Sequence, residues 1–328
     1  MEKKLILPEV LAPAGNFEKL RAAVRFGADA VYLAGRRFGM RQASENFSLE
    51  ELREAAEYMH SRGKKMYLTV NILPHGPEYP ALREFIRECA KIDIDGYIVA
   101  DLGVIAMIKE INPNADIHIS TQASIVSPEA ALEYIKLGAT RLVLARELSL
   151  KEIRAIRDRI PEHIELEAFV HGSMCISYSG RCGLSYALTG RDAHRGACAQ
   201  PCRWNYAIVE EKRPESPFPI EQQEGVGTFI MSSKDMCMIE HIPELMESGI
   251  ASFKIEGRMK SAYYTAVVTN AYRLAMDTYQ KDPTSYQFDP AWLEELESVS
   301  HREYATGFWY DDPKKEPQLC TENGYIRE

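Results

Sequence analysis

The chain carries no surplus of positive charge: 39 lysines and arginines face 48 aspartates and glutamates, for a net charge of -9. That excludes a generally basic surface of the kind that coats nucleic acid, but not a local basic patch. Long apolar runs are missing too, so no segment reads as a membrane span. In the opening stretch MEKKLILPEVLAPAG, Pro8 and Glu9 cut the apolar run short, so it does not read as a secretory leader. The compartment expected is the cytoplasm, where a reducing environment makes clustered cysteines argue for metal before disulfide. No G-x-G-x-x-G turn follows the first strand; Pro13-Ala14-Gly15-Asn16 stands there instead, which argues against a dinucleotide fold. A nucleophile elbow, an H-E-x-x-H pair and a positioned Ser-His-Asp set are likewise absent.

What is present is sulfur in one place. Five of the seven cysteines, Cys175, Cys182, Cys198, Cys202 and Cys237, share one region rich in glycine, serine and arginine. Such a group serves a metal or a redox reaction more often than packing. Its spacing matches neither a common zinc finger nor a ferredoxin run. A four-thiolate site suits zinc or an iron-sulfur cluster. Free cysteines are the plainer reading, and five thiols together fit a single activated nucleophile poorly.

Around this region, helix and strand alternate. Asn16 caps a helix over 17–26, Ser48 and Glu51 form a capping box, Ser127-Pro128 opens another helix, and Ser149 with Glu152 forms a second box. Strands are expected at 10–14, 30–34, 66–71, 97–100, 116–121, 141–144, 165–170 and 253–255. Eight strands with intervening helices predict an α/β fold, a (β/α)8 TIM-like barrel, with a doubly wound open sheet as the alternative. The barrel is expected over 1–308, including a cysteine-rich insertion at 172–237 that follows strand seven. Within it, 205–210 and 228–232 are expected to pair as a hairpin. Residues 309–328 read as a tail, or as the start of a β-rich domain.

Strand ends carry the candidate chemistry, because barrel enzymes work at the carboxyl face of the sheet. His118 and His171 are candidate acid-base groups, with hydrogen-bonded structural histidines as the plainer alternative. Period-two alternation places His118, Ser120 and Gln122 on one strand face, lining the interior near the mouth. Glu167 falls inside the barrel and needs a partner; Lys254 and Glu256 alternate on the last strand. Arg191, Arg195 and Arg258 are candidates for gripping carboxylates, since guanidinium binds them in a bidentate fork. Asn71 and Gln122 stand beside them. Arg181 and Arg203 adjoin cysteines and would offset cluster charge, and the same basic rim could receive RNA phosphate.

The motifs at 167–175, 179–185, 190–192, 195–204, 232–237 and 254–261 resemble peptidase family U32 over almost the whole chain. The resemblance is strongest to members that make 5-hydroxyuridine at the wobble position of tRNA. It implies a [4Fe-4S] cluster on Cys175, Cys182, Cys198 and Cys237, with Cys202 open as the alternative fourth ligand. It also implies an oxygen-independent RNA hydroxylase with prephenate, a small dicarboxylate, as co-substrate, and tRNA as partner. Catalytic roles are expected at His118, His171, Glu167 and Glu256, and substrate contacts at Arg191, Arg195, Lys254, Arg258, Asn71 and Gln122. A paralogous second subunit is an open question, and no membrane partner is expected. Two rival readings remain: a collagenase-like peptidase, and a zinc-stapled scaffold that binds tRNA.

Overall fold

The computed structural model describes residues 7–41, 44–204, 206–208, 212, 218–219 and 232–310. Twelve strands occur among them: β1 (Glu9–Pro13), β2 (Ala30–Ala34), β3 (Lys65–Val70), β4 (Gly96–Val99), β5 (Ile117–Ile119), β6 (Ala139–Val143), β7 (Glu165–Ser173), β8 (Ala207–Ile208), β9 (Phe218–Pro219), β10 (Asp235–Cys237), β11 (Ser252–Ile255) and β12 (Tyr304–Ala305). The helices are α1 (Phe17–Arg25), α2 (Leu49–His60), α3 (Tyr79–Cys89), α4 (Leu102–Ile111), α5 (Pro128–Lys136), α6 (Leu150–Arg157), α7 (Leu184–Thr189), α8 (Ile242–Met246), α9 (Ala262–Lys281) and α10 (Pro290–Glu297). Parallel pairing runs from β1 through β7, on to β11, and back to β1. The sheet is therefore closed, and the eight barrel strands are those expected from the sequence.

Local chemistry explains the helix starts. Asn16, Ser48, Ser127 and Ser149 each accept a bond from a first-turn N–H, and the boxes at Ser48/Glu51 and Ser149/Glu152 are both formed. Each satisfies a donor that a helix end leaves free. Apolar side chains between sheet and helices form the main core, where Leu20, Leu33, Leu52, Met66 and Tyr272 are all fully buried.

The barrel interior is unlike that core. A barrel of this size is usually filled with branched aliphatics. Here Arg141 bonds Glu9, Glu165 and Glu167, while the Lys254 Nζ stands 2.6 Å from the other oxygen of Glu167. Tyr67 and Ser252 both donate to Glu9, at 2.9 and 2.8 Å. Glu167 is fully buried. Its carboxylate is tolerable there only because two cations face it. The partner that the sequence demanded for Glu167 is thus a pair.

Strand β7 is long enough to serve two neighbours. Its first half pairs with β11, and its last residues pair antiparallel with β10. Gly172 makes this possible at φ +108, because a Cβ there would stand 2.6 Å from the Glu256 carbonyl. Ala207–Ile208 pairs antiparallel with β9 (Phe218–Pro219), while the pairing expected with 228–232 lies largely outside the described residues. Of 228–232, only Ser232 is described. The chain also packs past residue 308. Trp309 is buried, and its carbonyl accepts from Leu150. The expected tail lies, from 311 onward, outside the described residues.

Candidate functional site

The insertion after β7 folds back across the carboxyl face of the barrel. Arg195 grips Glu78, beyond β3, through both guanidinium nitrogens. The His194 carbonyl accepts from Leu73. Arg181 donates from Nε to the Gln122 carbonyl after β5, at 3.0 Å. Glu147, after β6, accepts from both the backbone and the hydroxyl of Ser179. Three loops of the rim, after β3, β5 and β6, therefore hold the segment that carries the cysteines.

Left-handed residues shape its turns: Ser179 (φ 45) and Gln200 (φ 57), with Gly180 and Gly196. Cys182 Sγ accepts from the Leu184 N–H at 3.3 Å, and Cys198 Sγ from the Gln200 N–H at 3.4 Å. Backbone N–H groups aimed two residues back at sulfur stabilise negative charge on it, the environment a metal-bound thiolate needs. All the described cysteines are free thiols.

Cys202 belongs with this group. Burial first, and then the neighbouring charges of Cys175 and Cys198, hold its thiol above the ordinary value, with Arg203 opposing. Cys237 lies on β10 opposite His171, with Tyr272 of α9 beside its thiol. Burial pushes that thiol up to about 12. Cys202 thus shares a neighbourhood with Cys175 and Cys198. Among the described residues, no three His, Cys, Asp or Glu side chains close on a single metal ion. A cluster distributes its thiolates over several irons, and four partly accessible thiols fit its donor chemistry.

Beneath the thiols, the mouth is lined with cations. Arg258, buried, donates to Thr69 Oγ1 at 3.2 Å, and burial lowers it to about 10. Arg41 reaches Glu256 at 3.2 Å and also feels the Cys198 charge. Arg146 lies over the Phe169 ring, 4.2 Å from its centroid, and donates to the Ser173 carbonyl. All three act on the buried hydroxyl of Tyr32, which burial and then Glu256 hold up. Three guanidiniums and the carboxylate of Glu256 thus converge on Tyr32 at the mouth. Such a floor suits a small molecule bearing carboxylates.

Not every expected site residue is here. His118 is inside the barrel, well below the mouth, edge-on to Tyr67 at 4.6 Å, and burial holds it far below its ordinary value. His171 faces out of the barrel, among Tyr264, Tyr272 and Tyr304, and burial lowers it to about 3. The structure puts neither where it could exchange protons with a substrate at the mouth. Glu167 and Lys254 are spent on the interior ion network. Asn71 accepts from the Met40 N–H, so it positions Arg41 from one residue away. Gln122 keeps a buried Oε1 with no partner among the described residues. Arg191 is exposed on the insertion's outer side, its Nε on the Ala197 carbonyl. Arg258 and Glu256 stand at the mouth as expected.

Arg41, Arg146 and Arg302 were not signalled by sequence. Arg302 is buried, bonds Asp235, and donates to the Met174 carbonyl, fixing the residue before Cys175. The motif around 232–237 was visible; its partner, far along the chain, was not.

The fold is that of a solved relative, "The Structure of the U32 Peptidase Mk0906", at 16% identity and a TM-score of 0.50, covering 78% of this chain and 96% of that one. "tRNA hydroxylation protein P1" of Bacillus subtilis (strain 168) is 41% identical over 316 residues, 96% of this chain and 74% of that protein. "Collagenase" of Porphyromonas gingivalis (strain ATCC BAA-308 / W83) is 34% identical over 311 residues, 92% of this chain and 72% of that protein. A sequence profile of peptidase family U32 matches residues 15–319. The chain belongs to peptidase family U32.

Proposed function

We propose that this chain is an RNA hydroxylase that forms 5-hydroxyuridine at the tRNA wobble position without oxygen, taking the hydroxyl from prephenate. The observation that supports this reading is the pinned insertion, which carries Cys175, Cys182, Cys198 and Cys202 on the carboxyl face of a barrel whose mouth gathers three arginines around Tyr32. The family relative named for tRNA hydroxylation, at 41% identity, supports the same reaction class. These four cysteines would hold a [4Fe-4S] cluster, with Cys202 taking the place first expected of Cys237. When bound, such a cluster supplies one-electron redox chemistry and an electrophilic iron.

The remaining work falls to the chain's own side chains. Arg41, Arg146 and Arg258 bind and orient the two carboxylates of the co-substrate. Glu256 holds the Arg41 fork in place, and Asn71 fixes the loop that carries it. Tyr32, its hydroxyl donated to the Ile255 carbonyl at 2.9 Å, closes the floor and excludes water. The pinned insertion keeps the thiols in register with that floor.

A peptidase reading draws on the family's title and on the collagenase relative. A thiol peptidase needs a histidine on its nucleophile. Beside the clustered cysteines, His194 takes the Cys182 backbone N–H on Nε2 at 3.2 Å, which does not activate a thiol. Nucleoside mass spectrometry of tRNA from cells lacking the gene, with and without complementation, separates the two. Cleavage of denatured collagen by the purified protein, with 5-hydroxyuridine unchanged in those cells, would favour the peptidase.

A further inference from the structure

The insertion has two faces. One is pinned to the rim loops of the barrel; the other exposes large apolar and aromatic groups that a monomeric surface seldom shows together. Tyr186 is 63% exposed, Leu188 53%, and Trp204 42%. Buried Ser185 ties the group together, donating to the Arg191 carbonyl at 2.7 Å and accepting from the Ala199 N–H at 2.9 Å. Helix α7 thereby packs beside the 3-10 turn Pro201–Arg203 that precedes Trp204. The aromatics stand on fixed backbone and lose little freedom if they are covered.

Charge identifies what would cover them. From 172 to 204 the chain carries Arg181, Arg191, Arg195 and Arg203 against one acid, Asp192, on a protein of net charge -9. Arg195 is spent on Glu78. Arg181 and Arg191 are exposed, and neither has a carboxylate partner among the described residues. Each anchors its Nε to a backbone carbonyl, which leaves the outer nitrogens of the fork for a ligand. Preset guanidinium forks beside exposed rings match a polymer of phosphates and aromatic bases.

We propose that this outer face docks unpaired RNA, with bases stacked on Tyr186 and Trp204 and phosphates held by Arg181 and Arg191. The proposal rests on the RNA reading above and adds the surface and the mode of binding. Duplex RNA is a poor occupant, because its bases are already stacked on each other.

Trp204 provides the readout. The other two tryptophans, Trp292 and Trp309, are 9% and 4% exposed, so a ligand on this face changes the emission of Trp204. The protein is purified anaerobically and titrated with a short RNA hairpin that has an unpaired loop, and separately with a fully paired duplex of equal length. We expect the hairpin to quench the emission and the duplex to do so weakly. Tyr186→Ala and Trp204→Ala, followed by a labelled hairpin, weaken binding by about 5- to 100-fold each. Tyr186→Phe, which keeps the ring, restores it. Arg181→Ala and Arg191→Ala each weaken binding and lower the salt slope by about one. A hairpin bound equally by wild type and all four alanine variants overturns the surface and leaves the RNA reading standing. Variants that alter the oligomeric state, with RNA affinity unchanged, reassign the face to a second copy of the chain. Wild-type protein that binds no RNA overturns the surface and counts against the RNA reading itself.

Discussion

Cys202 and Cys237 offer the sharpest contrast between single residues. One shares the electrostatic neighbourhood of Cys175 and Cys198; the other stands beside a tyrosine of α9. Cys202→Ser is expected to lose the cluster's visible absorption and iron content, whereas Cys237→Ser keeps both. The reverse outcome, in anaerobically reconstituted protein, overturns the ligand set. Arg258→Ala should raise the KM for the dicarboxylate by about 10- to 100-fold, because a charge-assisted bond is worth about 1.5–3 kcal/mol. A matching fall in kcat with KM unchanged would contradict a binding role. His118 has a pH signature. Burial first, and then Arg141, hold it far below 6.5 in the folded protein, so the unfolded chain alone takes up a proton as pH falls below that value. Its contribution is complete above 6.5 and is lost on acidification, by about 1.4 kcal/mol per pH unit. Denaturant melts of His118→Gln across that range should show a shallower slope by one proton; an unchanged slope would contradict the assignment.

At the scale of elements, local chemistry was the legible part. The caps at Asn16, Ser48, Ser127 and Ser149 and the eight barrel strands follow from side chains within four residues of each other, and all are present. What escaped the sequence depends on distant partners. Arg41 and Glu256 are 215 residues apart, and Arg302 is 128 from Met174. No local pattern links such pairs. His118 was correctly set on the inner face, but alternation gives the side of a strand and not the depth. The interior ion network is testable as a unit. Glu167→Leu leaves Lys254 without its carboxylate and should cost about 3–5 kcal/mol in urea unfolding; Glu167→Leu with Lys254→Met should recover part of it. Equal stability of the single and double variants would show that the pair is not coupled.

For the molecule as a whole, a closed sheet supplies rigidity and an insertion after β7 supplies the clustered cysteines. The barrel brings loops after β2, β3, β5, β6, β7 and β11 to one rim, so side chains from six stretches of sequence meet there. The acidic bulk and the cations at the mouth are compatible because those cations are few and concentrated. No described helix is long and apolar enough to cross a membrane. The measurement that bears most directly on the central claim is the 5-hydroxyuridine content of tRNA, by nucleoside mass spectrometry, in cells whose only copy of this gene encodes Cys202→Ser. The modification should disappear, and should return with the wild-type gene. Undiminished 5-hydroxyuridine in the variant cells would contradict a thiolate-held cluster at the barrel mouth as the seat of the reaction.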